Sequence, residues 1–227
     1  MIVIHGRQSS HYTRLVRLFA HELDVPVALA PIHALLSVDP ATFAGNPALK
    51  LPALRDGDAV VWGSANACRW LARRSVAGEA GVAWPEDATS PLAMNAHELV
   101  AHAMAAQVEV VFHEIVSQRP PDDASRKRRA SLEATLDWLD AHLADVRTAL
   151  PPRPVRWFEF ALFALLGHLP FRNPTVTLDR RPALRAFAEE FGARPSALAT
   201  PYVYDPPPPA PGSAPTPASP GGVHAGD

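Results

Sequence analysis

The stretch NPALKLPALRDGDAVVWGSAN occupies residues 46–66 and contains the clearest structural signals in the chain. Two short apolar runs, Pro52–Arg55 and Ala59–Trp62, flank the sequence Asp-Gly-Asp at 56–58. An Asp-Gly pair between two such runs is typical of a tight β-hairpin turn. The residues that follow, Ser64–Arg74, have helical spacing, and their inward face consists of Ala67, Cys68 and Leu71. The stretch therefore predicts a hairpin that leads directly into a helix.

A strand, a helix and a second strand are predicted before this hairpin. Ile2–His5 is a short β-branched run that ends at Gly6. The next segment has one apolar face at helical spacing, formed by Tyr12, Leu15, Val16, Phe19 and Leu23. Val25–Ala30 is the second strand candidate. This order of elements within residues 1–77 predicts an α/β domain with a small mixed sheet.

Beyond residue 77 the chain changes character. Residues 78–90 contain glycine and proline with polar residues between them, which favours a linker. Residues 91–204 predict an all-α domain, with helices at Ser90–Ser117, Ser131–Leu150, Trp157–Leu169 and Pro182–Phe191. The third of these is apolar on nearly all sides, so we expect it to be the buried central helix of a bundle. Residues 205–227 are rich in proline and predict a disordered tail.

Composition and charge restrict the classes of function. The chain has 227 residues, with 21 Lys and Arg against 23 Asp and Glu. This balance argues against a nucleic-acid partner, which needs a basic face, and against binding to an anionic membrane surface. The single cysteine, Cys68, excludes an intrachain disulfide and a cysteine-based metal site.

No metal site, membrane span or export signal is expected. His97 and His102 resemble a zinc-binding helix motif, but five residues rotate a helix to about 140° away from the same face. The longest strongly apolar run, Trp157–Leu166, is too short to cross a bilayer and contains Glu159. Met1–Ile4 begins a strand at once, without a signal peptide, so we expect a cytoplasmic protein.

Two motifs are similar to those of a known family. One is GRQSSHYTRLVR at residues 6–17, and the other is the 46–66 stretch with its continuation ACRWLA at 67–72. In this order they resemble the serine-type, bacterial-like members of the glutathione S-transferase family, over about residues 1–202. The resemblance implies a thioredoxin-like glutathione-binding domain joined to an all-helical domain. It also implies a homodimer that takes glutathione as co-substrate, with a role in detoxification.

Ser10 is the residue that the resemblance implies at the glutathione thiol. In serine-type members the active hydroxyl lies six residues before the valine of this helix, and counting back from Val16 gives Ser10. A hydroxyl at a helix N-terminus lies beside free backbone N–H groups and the positive end of the dipole, an environment that favours an anion. Ser9 is the neighbouring alternative, and Ser10 can also be a plain N-cap. Tyr12 is a competing hydroxyl whose spacing with Leu15 favours a core position.

The resemblance also implies contacts to the peptide part of glutathione. Pro52 matches the family's cis-proline, so that Leu51 before it offers its N–H and C=O to the cysteinyl part. Lys50 is either a partner for a glutathione carboxylate or a solvated loop lysine. Ser64 matches the serine that holds the γ-glutamyl carboxylate at a helix N-terminus.

One position departs from the family pattern. Members usually have Glu or Gln before the serine at 64, to receive the γ-glutamyl amine, whereas this chain has Gly63. Asn66 is a possible substitute for the missing side chain. The departure leaves two functions open: a glutathione transferase, or a non-catalytic binding or scaffold protein with a degraded glutathione site.

The enzyme hypothesis places a small hydrophobic electrophile in a cleft between the domains. Its candidate contacts lie on the long helix after Ser90 and are Met94, His97, His102 and Met104. Conjugation, isomerisation and peroxide reduction all use the same glutathione thiolate and remain alternatives within this hypothesis.

Overall fold

The computed structural model describes residues 1–207, and its first part is a four-stranded mixed sheet with two helices. Its elements in chain order are β1 (Ile2–Gly6), α1 (His11–Glu22), β2 (Val27–Pro31), β3 (Ala53–Asp56), β4 (Ala59–Trp62) and α2 (Ser64–Arg74). The strand order is β2-β1-β3-β4, with β1 parallel to β2 and the other pairs antiparallel. The predicted hairpin and the helix after it are confirmed.

The core of this first part lies between the sheet and the two helices. Ile4 of β1 and Leu54 of β3 are buried opposite each other, and α1 contributes Leu15 and Phe19. Cys68 on α2 is fully buried, as its position on the inward face predicts, and burial raises the pKa of its thiol well above the usual range. Cys68 is therefore a small core residue.

The remainder of the described chain is mostly helical, which confirms the predicted fold class. Its helices are α3 (Pro91–Val110), continued by a π-helical turn at Val111–Val116, then α4 (Asp123–Ala149), α5 (Trp157–Arg172), α6 (Pro182–Gly192) and α7 (Pro195–Leu198). Helix α5 is the predicted central helix, because nearly all of its residues from Phe158 to Leu169 are buried.

Helix α4 starts earlier than its apolar pattern predicts. It begins at Asp123 instead of Ser131, because Asp122 and Ser125 form a reciprocal capping box. The Ser125 N–H donates to Asp122 Oδ1 at 2.7 Å, and the Ser125 hydroxyl lies 2.9 Å from the Asp122 N–H. The polar first turns are thus helical without contributing to the apolar face.

Residues 78–90, expected as a linker, contain packed structure. Strand β5 (Val82–Ala83) pairs in parallel with β6 (Val155–Arg156), so the helical part is not purely α. The buried Trp84 ring lies 5.9 Å from Phe19 of α1 and 5.8 Å from Trp157 of α5. This tryptophan connects the cores of the two parts.

By length and composition alone, Pro91–Val116 is long and apolar enough to cross a membrane, although here it packs against α4 and α5. The absence of a membrane partner therefore stays an expectation.

Of the predicted Pro-rich tail, Asp205–Pro207 are described, and 208–227 lie outside the described residues.

Candidate active site

Three chain segments meet at one end of the sheet. In the strand register His5 lies opposite Ala53, and Ala53 lies opposite Trp62. Just beyond these positions, Gly6, Pro52 and Gly63 are therefore neighbours, and the Gly63 N–H donates to the Pro52 C=O at 3.0 Å. We call this the Pro52 end of the sheet. It gathers the loop that carries Ser10, the Leu51–Pro52 segment and the start of α2.

Ser10 is the N-cap of α1. Its backbone is extended, with φ −99° and ψ 128°, and its Oγ accepts from the Thr13 N–H at 3.3 Å. The side chain is half-buried, so part of it faces outward, whereas Ser9 is only 3% exposed. Of the two serines, Ser10 has the accessible hydroxyl at the positive end of the helix dipole.

The turn before Ser10 is tightly built. The Ser10 N–H donates to the Arg7 C=O at 3.1 Å, and the Arg7 N–H donates to Thr13 Oγ1 at 3.2 Å. Gly6 enters the turn beside Thr13, and a Cβ at Gly6 would lie 2.4 Å from Thr13 Oγ1. Glycine is therefore required where the strand passes the helix.

The Leu51–Pro52 peptide bond is cis, as the resemblance implies. Within residues 1–207, neither the N–H nor the C=O of Leu51 has a hydrogen-bond partner. Asn46 shapes the preceding loop, because its amide donates to the Lys50 C=O at 2.9 Å. Leu51 thus presents a free donor and acceptor to an extended peptide, and the exposed Lys50 lies beside it.

Ser64 is the first residue of α2, and the N-cap before it is a glycine, which has no side chain. Gly63 is the N-cap at φ +84°, without a side chain to satisfy the first backbone N–H groups. Residues with a Cβ rarely adopt this φ, which favours glycine here. The α2 N-terminus consequently keeps open donors suited to a carboxylate.

Asn66 lies on a different side of α2 from Ser64. Its amide donates to the Trp62 C=O at 3.2 Å, and the side chain borders a shallow surface groove with Trp62 and Arg69. Ser64 instead borders a cavity between the two parts of the chain. The structure therefore does not bring Asn66 and Ser64 into one cavity.

This inter-domain cavity has a volume of about 190 Å³. Its lining is mostly apolar and consists of Tyr12, Leu15, Ser64, Ala65, His97, Val100, Ala101, Met104, Trp157, Phe158 and Ala161. Two of the four residues expected to contact an electrophile, His97 and Met104, belong to it. The other two, Met94 and His102, are exposed, and His102 lies 3.0 Å from Glu98.

Burial tunes the polar groups of the inter-domain cavity. It lowers the pKa of His97 to about 4, against a smaller opposing effect of Glu86, so the imidazole is neutral at pH 7. Burial also raises the pKa of Tyr12 to about 12, reinforced by Glu109. The Tyr12 phenol therefore stays protonated and packs partly against the core.

A buried pair of histidines, His11 and His168, lies at the start of α1, and the sequence analysis did not predict it. The rings of His11 and His168 are 4.4 Å apart in an edge-on arrangement. Burial lowers the pKa of both, that of His168 to about 3. His168 Nδ1 lies 3.2 Å from Gln107 Nε2, and Gln107 Oε1 accepts from Asn173 at 3.1 Å. Because the Asn173 amide occupies the Gln107 oxygen, Gln107 donates to His168 Nδ1, which assigns the ring proton to Nε2.

No local sequence signal points to this pair. His11 follows Ser10 directly, but its partners come from α3 and α5, which only tertiary packing brings to it. The pair does not form a metal centre, since no group of three or more His, Cys, Asp or Glu side chains suited to a metal occurs in the part of the chain described.

Comparisons with known proteins agree with this fold. Residues 9–74 match the family described as glutathione S-transferase, N-terminal domain. No curated protein matches the chain. Many solved structures do share the fold.

Three of these structures are representative. A glutathione S-transferase from Methylobacillus flagellatus KT with GSH bound is 22% identical, with a TM-score of 0.72 over 89% of this chain and 100% of that one. A glutathione transferase family member from Pseudomonas fluorescens Pf-5 with bound glutathione is 24% identical, with a TM-score of 0.70 over 88% and 98%. A glutathione transferase from Populus trichocarpa is 19% identical, with a TM-score of 0.68 over 88% and 97%.

These likenesses confirm the fold, a mixed-sheet N-terminal part with a mostly helical remainder, over 88–89% of this chain. The match to the family covers the segment that contains Ser10, Leu51, Pro52 and Ser64. Residues 9–74 thus match the glutathione S-transferase N-terminal domain, and the chain has the overall fold of the glutathione transferases.

Proposed function

We propose that this protein is a glutathione transferase-like enzyme, in which Ser10 activates the glutathione thiol for attack on a small hydrophobic electrophile. One observation carries the proposal. The half-buried Ser10 hydroxyl, the Leu51 backbone and the N-terminus of α2 at Ser64 all lie at the Pro52 end of the sheet, and among residues 1–207 the last two have no partner for their backbone N–H groups. Together they offer a hydroxyl for the thiol, a backbone N–H and C=O for the peptide, and a helix N-terminus for a carboxylate.

Ser10 supplies the electrostatic part of the mechanism. A free thiol of the cysteine type has a pKa of about 8.5, so only roughly 3% is thiolate at pH 7. Lowering the pKa by about two units takes about 2.7 kcal/mol and makes the thiolate the main form. A hydrogen bond donated by the Ser10 hydroxyl, together with the α1 dipole, can provide much of that energy. The Ser10 Oγ keeps its proton for this bond, because towards Thr13 it acts as the acceptor.

The rest of glutathione is held by groups that do not react. Leu51 pairs with the cysteinyl residue through its N–H and C=O. The γ-glutamyl carboxylate lies at the start of α2, against the Ser64 hydroxyl and the open backbone donors. Lys50, exposed next to Leu51, meets the other carboxylate. Each of these roles is supported by the free hydrogen-bonding capacity of the group concerned.

The electrophile occupies the inter-domain cavity. Its apolar walls, with neutral His97 and protonated Tyr12 as the polar groups, favour an uncharged hydrophobic substrate. A volume of about 190 Å³ lies below the range of about 300 Å³ and upward that is usual for drug-sized ligands, which favours a small molecule. Isomerisation and peroxide reduction use the same thiolate and are alternative outcomes.

A non-catalytic binding or scaffold role is the second candidate. It is favoured by Gly63, which has no side chain for the γ-glutamyl amine, and by Asn66, which borders another groove. In this role the glutathione site is degraded and the inter-domain cavity binds an apolar ligand.

Calorimetric titration with glutathione separates the two candidates. Binding between the micromolar and low millimolar range, about −8 to −4 kcal/mol, supports the enzyme. Absence of binding at several millimolar supports the scaffold role. Titration of a Ser64→Ala variant identifies the site, because it weakens specific binding and leaves nonspecific heats unchanged.

The assembly and location of the protein belong to the same proposal. We expect a homodimer in the cytoplasm with a role in detoxification. Light scattering coupled to gel filtration tests the dimer, and a mass of 24.4 kDa instead of twice that value would contradict it.

A further inference from the structure

Asp205 is a fully buried carboxylate at the end of the described chain. Its side chain has 0% exposure, and its two oxygens accept from the Gln8 N–H at 3.1 and 3.3 Å. The Arg7 Nε lies 3.6 Å away. The C-terminal segment thus contacts the turn that leads into Ser10.

Aromatic packing brings Asp205 to this place. The Tyr202 ring stacks on Phe171 of α5 at 5.5 Å, and its hydroxyl donates to the Ala164 C=O. The Arg14 guanidinium of α1 lies 4.4 Å over the same ring. Tyr204 packs on Phe171 at 4.9 Å. The segment 202–205 is therefore anchored along α5 before its carboxylate reaches α1.

The charge of Asp205 is balanced by arginines of the N-terminal domain. Arg7 is its nearest cation, and Asp205 raises the pKa of Arg17, against the larger lowering effects of burial and Arg14. An isolated buried carboxylate is costly, so its position is fixed by these cations and by the Gln8 N–H. The turn is closed by the hydrogen bond from the Ser10 N–H to the Arg7 C=O, and Asp205 accepts from Gln8 in the middle of this turn.

We infer that Asp205 is a positioning residue, which clamps the turn 7–10 and thereby fixes the direction of the Ser10 hydroxyl. The clamp itself follows from the contacts of Asp205. Its effect on the thiol rests on the proposed function. Asp205 touches neither the peptide-binding groups nor the inter-domain cavity, so its loss should affect thiol activation more than glutathione binding.

Amide hydrogen exchange in the full chain tests the clamp without any ligand. In Asp205→Ala the Gln8 amide should exchange at least ten-fold faster, while the Ile4 amide in β1 keeps its rate. Asp205→Asn retains an oxygen acceptor and should show a smaller increase. Asp179→Ala, an exposed acidic position between α5 and α6, is the matched control and should change neither rate. An unchanged Gln8 rate in Asp205→Ala overturns the clamp.

Glutathione measurements test the effect on the thiol. In Asp205→Ala we expect kcat with a chloronitrobenzene electrophile to fall five- to ten-fold, with the glutathione Kd within two-fold of the original. The ultraviolet absorbance of bound thiolate at pH 7 should fall in parallel, and Asp205→Asn should recover part of both signals. An equal loss of affinity, or unchanged kcat, overturns the positioning role. A wild-type protein that binds no glutathione overturns the proposed function and this role with it, whereas the exchange data still decide the clamp.

Discussion

Helices α1 and α2 both begin at the Pro52 end of the sheet, but their first turns are built differently. Helix α1 is capped by the Ser10 side chain, backed by the buried pair His11 and His168, and its entry turn is held by Asp205. Helix α2 starts at Gly63 with no side-chain cap. The first N-terminus has a side-chain cap and a supported entry turn, and the second has no side-chain cap among the described residues.

The difference matches two kinds of task. A group that stabilises a developing charge must be fixed in direction, because a misdirected donor loses most of its effect. A group that binds a ligand carboxylate needs unsatisfied donors instead. We therefore expect changes at α1 to affect reactivity and stability together, and changes at α2 to affect ligand binding alone.

Ser10→Ala should produce the largest effect. Without the hydroxyl only the contribution of the α1 dipole remains, so the thiolate fraction at pH 7 should fall from about 75% towards about 3%, and turnover should drop by up to about 25-fold. Turnover with glutathione and a chloronitrobenzene is the measurement. The buried Ser9→Ala is the control and should keep its turnover. A loss in Ser9→Ala with full activity in Ser10→Ala would transfer the role to Ser9.

Ser64→Ala sharpens the comparison from the other helix. Removal of a hydrogen bond to a carboxylate should weaken the glutathione Kd about ten-fold, or about 1.4 kcal/mol, without changing the free energy of unfolding. Ser10→Ala, in contrast, should lower the free energy of unfolding by about 1 kcal/mol, because it removes the N-cap of α1. Urea unfolding and calorimetry of both variants provide the data, with exposed Ser131→Ala as control. Equal destabilisation by the two substitutions would remove the contrast.

The histidine pair should make the α1 side sensitive to acid. The folded state keeps His168 neutral, with a pKa of about 3, while the unfolded chain takes up a proton near pH 6.5. Stability contributed by His168 is therefore complete above pH 6.5 and is lost as the pH falls towards 3. Between pH 6.5 and 5.5 the loss should be about 1 kcal/mol.

Urea unfolding at several pH values checks this expectation. His168→Gln should reduce the pH dependence by that amount, and the exposed Ser131→Ala, which removes no titratable group, should leave it unchanged. Parallel curves for His168→Gln and the original protein would show that the pair does not resist protonation.

Tyr12→Phe should give the smallest effect. The pKa of about 12 keeps the phenol protonated, and Tyr12 lies two residues after the N-cap, on another side of the helix. We expect turnover within two-fold of the original in the same chloronitrobenzene assay. A loss comparable to that of Ser10→Ala would make Tyr12 the thiol-directed hydroxyl.

Local signals were sufficient for the N-terminal part. The Asp-Gly turn and the alternating runs beside it predict β4 and α2 with the bounds observed, and the resemblance implies the cis bond at Pro52. The start of α4 was missed, because its N-cap Asp122 lies ten residues before Leu132, the first apolar position of the predicted face. Periodicity detects the buried face of a helix and not its solvated first turns.

The supports of the candidate site could not be predicted in the same way. Asp205 and Gln8 are separated by 197 residues, and Asp205 opens a proline-rich segment whose composition predicts disorder. Gln107 and His168 meet only when α3 packs on α5. Such long-range polar contacts have no sequence period, whereas Ser10 and Ser64 are recognisable because each begins a helix after a strand.

The burial of Cys68 has a practical consequence for redox chemistry. Its thiol is enclosed between α1 and α2, with Sγ 4.0 Å from the Leu15 C=O, and its raised pKa leaves almost no thiolate. The folded protein therefore cannot form a mixed disulfide with oxidised glutathione, even in a cell rich in that oxidant. The rate at which a thiol reagent labels Cys68 then depends on how often α1 and α2 separate. Labelling of this one sulfur therefore measures the frequency with which the N-terminal domain opens.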